Sequence, residues 1–90
     1  MIQKSNLFSL KPSTITMYGA SWCPDCARAK SFFDKHQVQY EDLDIEENPD
    51  GAAFVKELNN GMRIIPTIVF PDGEVLAEPS NAQLTEKLKL

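Results

Sequence analysis

Both cysteines of the chain fall in one short stretch, Trp22-Cys23-Pro24-Asp25-Cys26. It sits where a strand pattern gives way to a helix pattern. Upstream, Thr14, Ile15, Thr16, Met17 and Tyr18 alternate and carry β-branched and aromatic side chains, as a half-buried strand does. Downstream, Pro24 is tolerated only in the first turn of a helix, where its missing N–H leaves no bond unmade. Ala27, Arg28, Ala29, Lys30, Phe32 and Phe33 continue that helix. Cys23 is therefore expected at, or just before, a helix N-terminus. The first N–H groups of a helix lack intrahelical partners and form the positive end of its dipole. Both favour an anion, so a thiol placed there is favoured as the thiolate. Cys26 lies one turn further in, beneath Cys23 and away from solvent. Cys23 is the expected nucleophile and Cys26 the resolving thiol, and a Cys-x-x-Cys pair near a βαβ pattern reads as a redox pair.

Three other uses of two cysteines fit less well. Zinc asks for four ligands, usually in two clusters. The one comparable side chain, His36, stands roughly three turns along the same helix. A permanent structural disulfide across so short a loop gives little stabilisation. Two buried structural thiols do not account for Trp22, Pro24 and Asp25 around them. No metal site is expected, and His36 is expected to be a surface residue favoured by the helix dipole.

Ninety residues make one small domain with an ordinary apolar fraction. The net charge of −4 comes without any run of Lys or Arg. Nucleic acid and membrane surfaces are thereby disfavoured as partners. Met1 to Ser5 lead into no apolar signal-peptide core, and no stretch reaches membrane-spanning length. Closely spaced cysteines without a targeting segment point to a reducing cytoplasm, where such pairs are catalytic.

The remaining elements follow from their punctuation. Residues 1–12 have no period and form a tail or short extra turn, with Leu7, Phe8 and Leu10 available to pack on the sheet. The domain occupies 13–90. Strand one is expected at about 14–19 and helix one at about 24–36, burying Cys26, Ala29 and Phe33 with Ala27 and Phe32 beside them. Strand two spans about 38–44. The carboxylates Asp42, Asp44, Glu46, Glu47 and Asp50 around its end read as a solvated edge. Helix two opens with Asn48 as N-cap and Pro49 as its first residue, and ends at Asn60-Gly61. Strand three runs from Thr67 to Phe70, and Pro71-Asp72-Gly73 turns it into strand four at about 74–77. Ser80 to Gln83 form a capping box that opens helix three, with Leu84 and Leu88 as its buried stripe. The order is β-α-β-α-β-β-α.

That order, with Cys-Pro-x-Cys after the first strand and Ile-Pro-Thr before the third, resembles the glutaredoxin branch of the thioredoxin fold. The resemblance covers roughly residues 13 to 90. It is strongest to small mycoredoxin-like glutaredoxins, in Trp22 to Cys26, Gly61 to Thr67 and Glu78-Pro79-Ser80-Asn81. It implies an α/β, thioredoxin-like (glutaredoxin-type) fold: a four-stranded mixed sheet flanked by three helices. Cys23 would attack and Cys26 resolve. Pro66 would be cis and face the cysteines, and the backbone of Ile65 would pair with the bound thiol like an added strand. Trp22, Pro24 and Asp25 would border the substrate. Arg63 matches a position that often holds a glutathione carboxylate, and Ser80 and Asn81 match the pair that receives the γ-glutamyl carboxylate.

Some positions depart from the pattern. Asp25 replaces the usual aromatic between the cysteines and opposes a neighbouring thiolate. Ala20 replaces a Lys three residues before the first cysteine, and Ala77-Glu78 replaces a Gly-Gly. Each change removes positive charge or adds negative charge around the thiol-binding groove. Met17 stands where true thioredoxins carry a buried Asp. The expected function is a dithiol-disulfide oxidoreductase acting on disulfide-containing or S-thiolated proteins. No cofactor is bound. A low-molecular-weight thiol (glutathione, mycothiol or bacillithiol) or a thioredoxin-reductase-like donor supplies electrons, and the chain is a monomer. The alternative is an iron–sulfur cluster carrier, for which Pro24-Asp25-Cys26 is the wrong surrounding, or a thiol-binding module without turnover, which an intact cysteine pair disfavours.

Overall fold

The computed structural model describes residues 8–90. Leu7 and the segment from Met1 to Ser5 lie outside the described residues. The elements are β1 (Ile15–Gly19), α1 (Pro24–Lys35), β2 (Tyr40–Asp44), α2 (Pro49–Leu58), β3 (Thr67–Val69), β4 (Val75–Ala77) and α3 (Asn81–Leu88). The order is the expected one. The sheet runs β2-β1-β3-β4. β1 pairs parallel with β2, Tyr18 opposite Leu43, and antiparallel with β3, Met17 opposite Ile68. β3 and β4 form the expected hairpin, Ile68 opposite Leu76.

β1 is not the half-buried strand its alternation suggested. All five of its residues are buried, Thr16 included. Helices cover both faces of the sheet, so the polar positions of β1 also face protein. The Thr16 hydroxyl meets that condition by donating to the Thr14 carbonyl at 3.0 Å. On one face Met17 and Ile68 pack with Cys26, Ala29, Phe32 and Phe33 of α1 and Leu84 of α3. On the other, Tyr18 and Val69 pack with Leu43 and with Phe54 and Val55 of α2. Phe33 is fully buried, which is worth roughly 1.5–3 kcal/mol relative to leaving it exposed. Ala27, expected beside the buried stripe of α1, is exposed.

The ends of α1 and α2 explain where the expected boundaries slipped. α1 stops at Lys35 because Gln37 adopts a left-handed backbone, φ +57°. The Gln37 N–H then donates to Asp34 O at 3.1 Å and the Val38 N–H to Phe33 O at 2.8 Å. These two bonds close the helix and delay β2 from residue 38 to Tyr40. His36 sits at that C-cap, exposed, with its ring 4.5 Å from that of Phe32. Asn48 occupies the N-cap position of α2 without capping it. Its side-chain amide donates instead to Asp44 O at 3.1 Å, fastening the loop to β2. At the other end the Gly61 N–H reaches Lys56 O at 2.6 Å, with Gly61 at φ +91°.

The segment before β1 is docked on the α2 side. The Phe8 N–H donates to the Tyr18 hydroxyl at 2.7 Å, and the Phe8 ring meets Phe54 edge-on at 5.9 Å. Pro12 is fully buried, whereas Leu10 points to solvent. Among the described residues no helix is long and apolar enough to cross a membrane.

Candidate active site

Cys23 is the N-cap of α1, with extended backbone angles of φ −84° and ψ 116°. Pro24 follows as the first helical residue and contributes no donor. The Cys23 sulfur accepts the backbone N–H of Cys26 at 3.1 Å, and the Cys23 N–H donates to Ala20 O at 3.2 Å. The sulfur thus lies where the helix presents its positive end, with a backbone donor already aimed at it. Both cysteines are free thiols.

Cys26 is 1% exposed and packs directly over β1. Gly19 permits that approach. A Cβ built on Gly19 would stand 2.7 Å from the Cys26 sulfur. Burial pushes the Cys26 thiol up to about 12, with the hydrogen bond to Cys23 adding in the same direction and the Ala20 backbone and the charge of Lys30 opposing. At neutral pH Cys26 is a proton-bearing thiol, and the sulfur placed for thiolate chemistry is that of Cys23.

Cys23 opens onto a groove of about 510 Å³, walled by Trp22, Pro24, Asp25, Arg63, Ile64, Ile65 and Glu78. Trp22 stands 60% exposed on its rim. The Ile65–Pro66 bond is cis and Pro66 is buried. The segment is fixed from behind. Thr67 Oγ1 donates to Ile64 O at 2.6 Å and itself accepts from the Asn59 side-chain amide at 3.1 Å. Pro66 O accepts the N–H of Glu78 at 2.7 Å.

The charges around the groove are largely matched. Asp25 turns toward Arg28, 3.7 Å away. Arg63 donates to Glu46 at 2.9 Å. Hydrogen bonds from the Arg63 guanidinium, and next from the Trp22 indole, hold the Glu46 carboxyl below its ordinary range. Glu46 therefore joins two walls of the groove. It stands in the acidic stretch that sequence reasoning assigned to a solvated edge, because its two partners lie far from it along the chain.

Ser80 and Asn81 are placed differently from the rest of the expected site. Neither lines the groove. Ser80 Oγ accepts the Gln83 N–H at 3.1 Å, and the Gln83 side chain accepts the Ser80 N–H at 2.8 Å, the reciprocal capping box its sequence suggested. Asn81 Oδ1 accepts from Arg28 at 2.8 Å, and the same guanidinium reaches Pro79 O at 2.9 Å. Arg28 thereby ties α1 to the start of α3. Gly19 and Glu78 also belong to the site and were not singled out for it. In the sequence Glu78 carries part of the family resemblance and departs from Gly-Gly, and neither points to a place on the groove. Among the described residues no three His, Cys, Asp or Glu side chains are grouped to hold a metal ion.

A strand–Cys-x-x-Cys–helix unit facing a cis-proline loop across an open groove is the architecture of thiol-disulfide oxidoreductases of the thioredoxin fold. Within that class the chain belongs to the glutaredoxin family, whose model matches residues 15–76. A Mycobacterium tuberculosis (strain H37Rv) protein named as a glutaredoxin is 38% identical over 76 residues, covering 84% of this chain and 90% of that one. Mycoredoxin 1 of Corynebacterium glutamicum is 30% identical over 77 residues, covering 86% of this chain and 95% of that one. The crystal structure of an Archaeoglobus fulgidus glutaredoxin superposes with a TM-score of 0.69 at 22% identity, covering 86% of this chain and 87% of that one, and shares the fold.

Proposed function

We propose that the protein reduces disulfides, in proteins or in mixed disulfides with a low-molecular-weight thiol, through Cys23 and Cys26. One observation carries this reading: the Cys23 sulfur caps α1 at the groove, while Cys26 is held as a thiol directly behind it. In the first step the Cys23 thiolate attacks one sulfur of the substrate disulfide. A Cys23–substrate disulfide forms and the other substrate sulfur leaves as a thiolate. In the second step Cys26 gives up its proton to the substrate thiolate released in the first, and its sulfur attacks the Cys23 sulfur. The second substrate thiolate leaves, and the Cys23–Cys26 disulfide retains the oxidised state. Two electrons have passed from the pair to the substrate.

The high Cys26 value and the second step are compatible. Part of what raises Cys26 is its hydrogen bond and charge interaction with Cys23. Once Cys23 is bound to the substrate its negative charge is gone, so the charge contribution lapses just when Cys26 must ionise. Burial, the larger cause, remains, so Cys26 loses its proton only as its sulfur bonds to Cys23.

Trp22, Pro24, Ile65 and Pro66 border the substrate, and the Ile65 backbone receives it in the manner of an added strand. Arg63, Ser80 and Asn81 contribute to thiol binding only by exchanging the partners they now hold. A thiol of the glutathione or mycothiol kind, or a reductase, returns the pair to the dithiol. The protein works as a monomer in the cytoplasm. The test is Cys26→Ser. It keeps activity on small-thiol mixed disulfides, which need only Cys23 and an external thiol. Its activity on protein disulfides falls much further, because the mixed disulfide has lost its internal resolver. Equal losses on both substrates would refute the proposal.

A further inference from the structure

Glu78 holds a backbone conformation that favours glycine. Its φ is +51°, in the left-handed region where a Cβ crowds the following carbonyl. Such a residue persists where its surroundings hold it, and such positions gather at functional sites. Here the bond from its N–H to Pro66 O, 2.7 Å, holds it, and Glu78 stands on the wall of the groove with Cys23. The other groove charges are paired, Asp25 with Arg28 and Arg63 with Glu46. Glu78 has no ion-pair partner among the described residues. It leaves a carboxylate without an ion pair on the groove that Cys23 opens onto. Because Glu78 is bonded to Pro66, a segment lying along Ile65 runs past Glu78.

We propose that Glu78 selects substrates by charge: it receives a lysine or arginine flanking the reacting cysteine and disfavours a carboxylate there. This rests on the groove being the site of thiol-disulfide exchange. The net charge of −4 acts in the same direction at longer range, drawing basic segments toward the molecule.

The test has two arms on the reduced full chain. In the first, Cys23 is modified by methanethiosulfonates bearing a trimethylammonium or a sulfonate group, each rate normalised to that of the uncharged methyl reagent. At low salt the cation is favoured over the anion by about three- to tenfold relative to a free thiol, as expected for a partly screened charge pair. That preference falls toward the free-thiol value in Glu78→Gln and in Glu78→Gly. In the second arm, two peptide disulfides differ only in Lys or Glu beside the cysteine. The Lys peptide has the higher kcat/KM, and the preference shrinks in Glu78→Gln and in high salt. An unchanged preference in Glu78→Gln in both arms overturns the proposal. So does a change seen in Glu78→Gly alone, since backbone conformation and not charge would then be responsible. A labelling preference that depends on Glu78, with neither peptide turned over, upholds selection by charge and refutes the oxidoreductase reading instead.

Discussion

At the start of α3, Ser80 Oγ accepts the N–H three residues on at 3.1 Å, and the Gln83 side chain returns a bond to the Ser80 N–H. At the start of α1, Cys23 Sγ accepts the N–H three residues on, also at 3.1 Å, but that residue is Cys26 and returns no such bond. The Cys23 N–H goes to Ala20 O. The two helices thus open with the same cap bond, made by different atoms. A hydroxyl is a good acceptor and an unreactive one. A thiol is a weak acceptor, and a thiolate a strong one. At α3 the cap satisfies donors and fixes the helix. At α1 the same position leaves the donors best satisfied when the sulfur is charged, the state that attacks a disulfide. One helix terminus is used for stability and the other for reactivity.

Replacing the atoms tests that contrast. The largest effect is expected from Cys23→Ser, which keeps a capping oxygen and removes the nucleophile. Disulfide reduction should fall to the uncatalysed background in a coupled turnover assay, while the thermal midpoint holds or rises. Next comes Gly19→Ala. Its added methyl group would meet the Cys26 sulfur at 2.7 Å, so α1 must shift from β1. Urea unfolding should show a loss of about 1–3 kcal/mol, as for other overpacked cores.

The pH dependence of stability follows. The native Cys26 value is raised to about 12, so the folded state keeps a proton that the unfolded chain releases above about 8.5. The stability this contributes is complete below that pH and is lost as pH rises toward the native value. The reduced protein should therefore lose up to about 1.4 kcal/mol per pH unit between about pH 9 and 10, a slope missing from Cys26→Ala. Tyr18, also raised by burial, adds a loss of the same sign only above about pH 10. The smallest effect is Ser80→Ala, about 1 kcal/mol of stability from a lost cap. A rise in KM for small-thiol substrates beyond that loss of stability would show that Ser80 also serves the thiol.

The contrast also marks what the sequence could and could not show. Cys23 at a helix start, Pro24 behind it, and the Ser80–Gln83 box are local patterns, each carried by residues within a turn of one another. The element order was legible for the same reason. The Glu46–Arg63 pair, the reach of Arg28 to Asn81 and the close packing of Gly19 on Cys26 were not. Each joins residues from separate elements, and charge pattern along a chain does not say which side chains a fold brings together. The full burial of β1 was hidden likewise, because Thr16 looks solvent-facing until the fold covers both sides of the sheet. Glu78 was visible as a replaced glycine, but its left-handed backbone and its place on the groove wall appear only in three dimensions.

The account turns on which sulfur is reactive, and limited alkylation reads that directly. The fully reduced protein is treated at neutral pH with substoichiometric iodoacetamide, and the label is located by peptide mass spectrometry over time. Cys23, at the groove and on the helix N-terminus, should take the label first, with Cys26 unmodified until Cys23 is consumed. Label appearing first on Cys26, or at equal rates on both, would contradict the assignment of Cys23 as the attacking thiol.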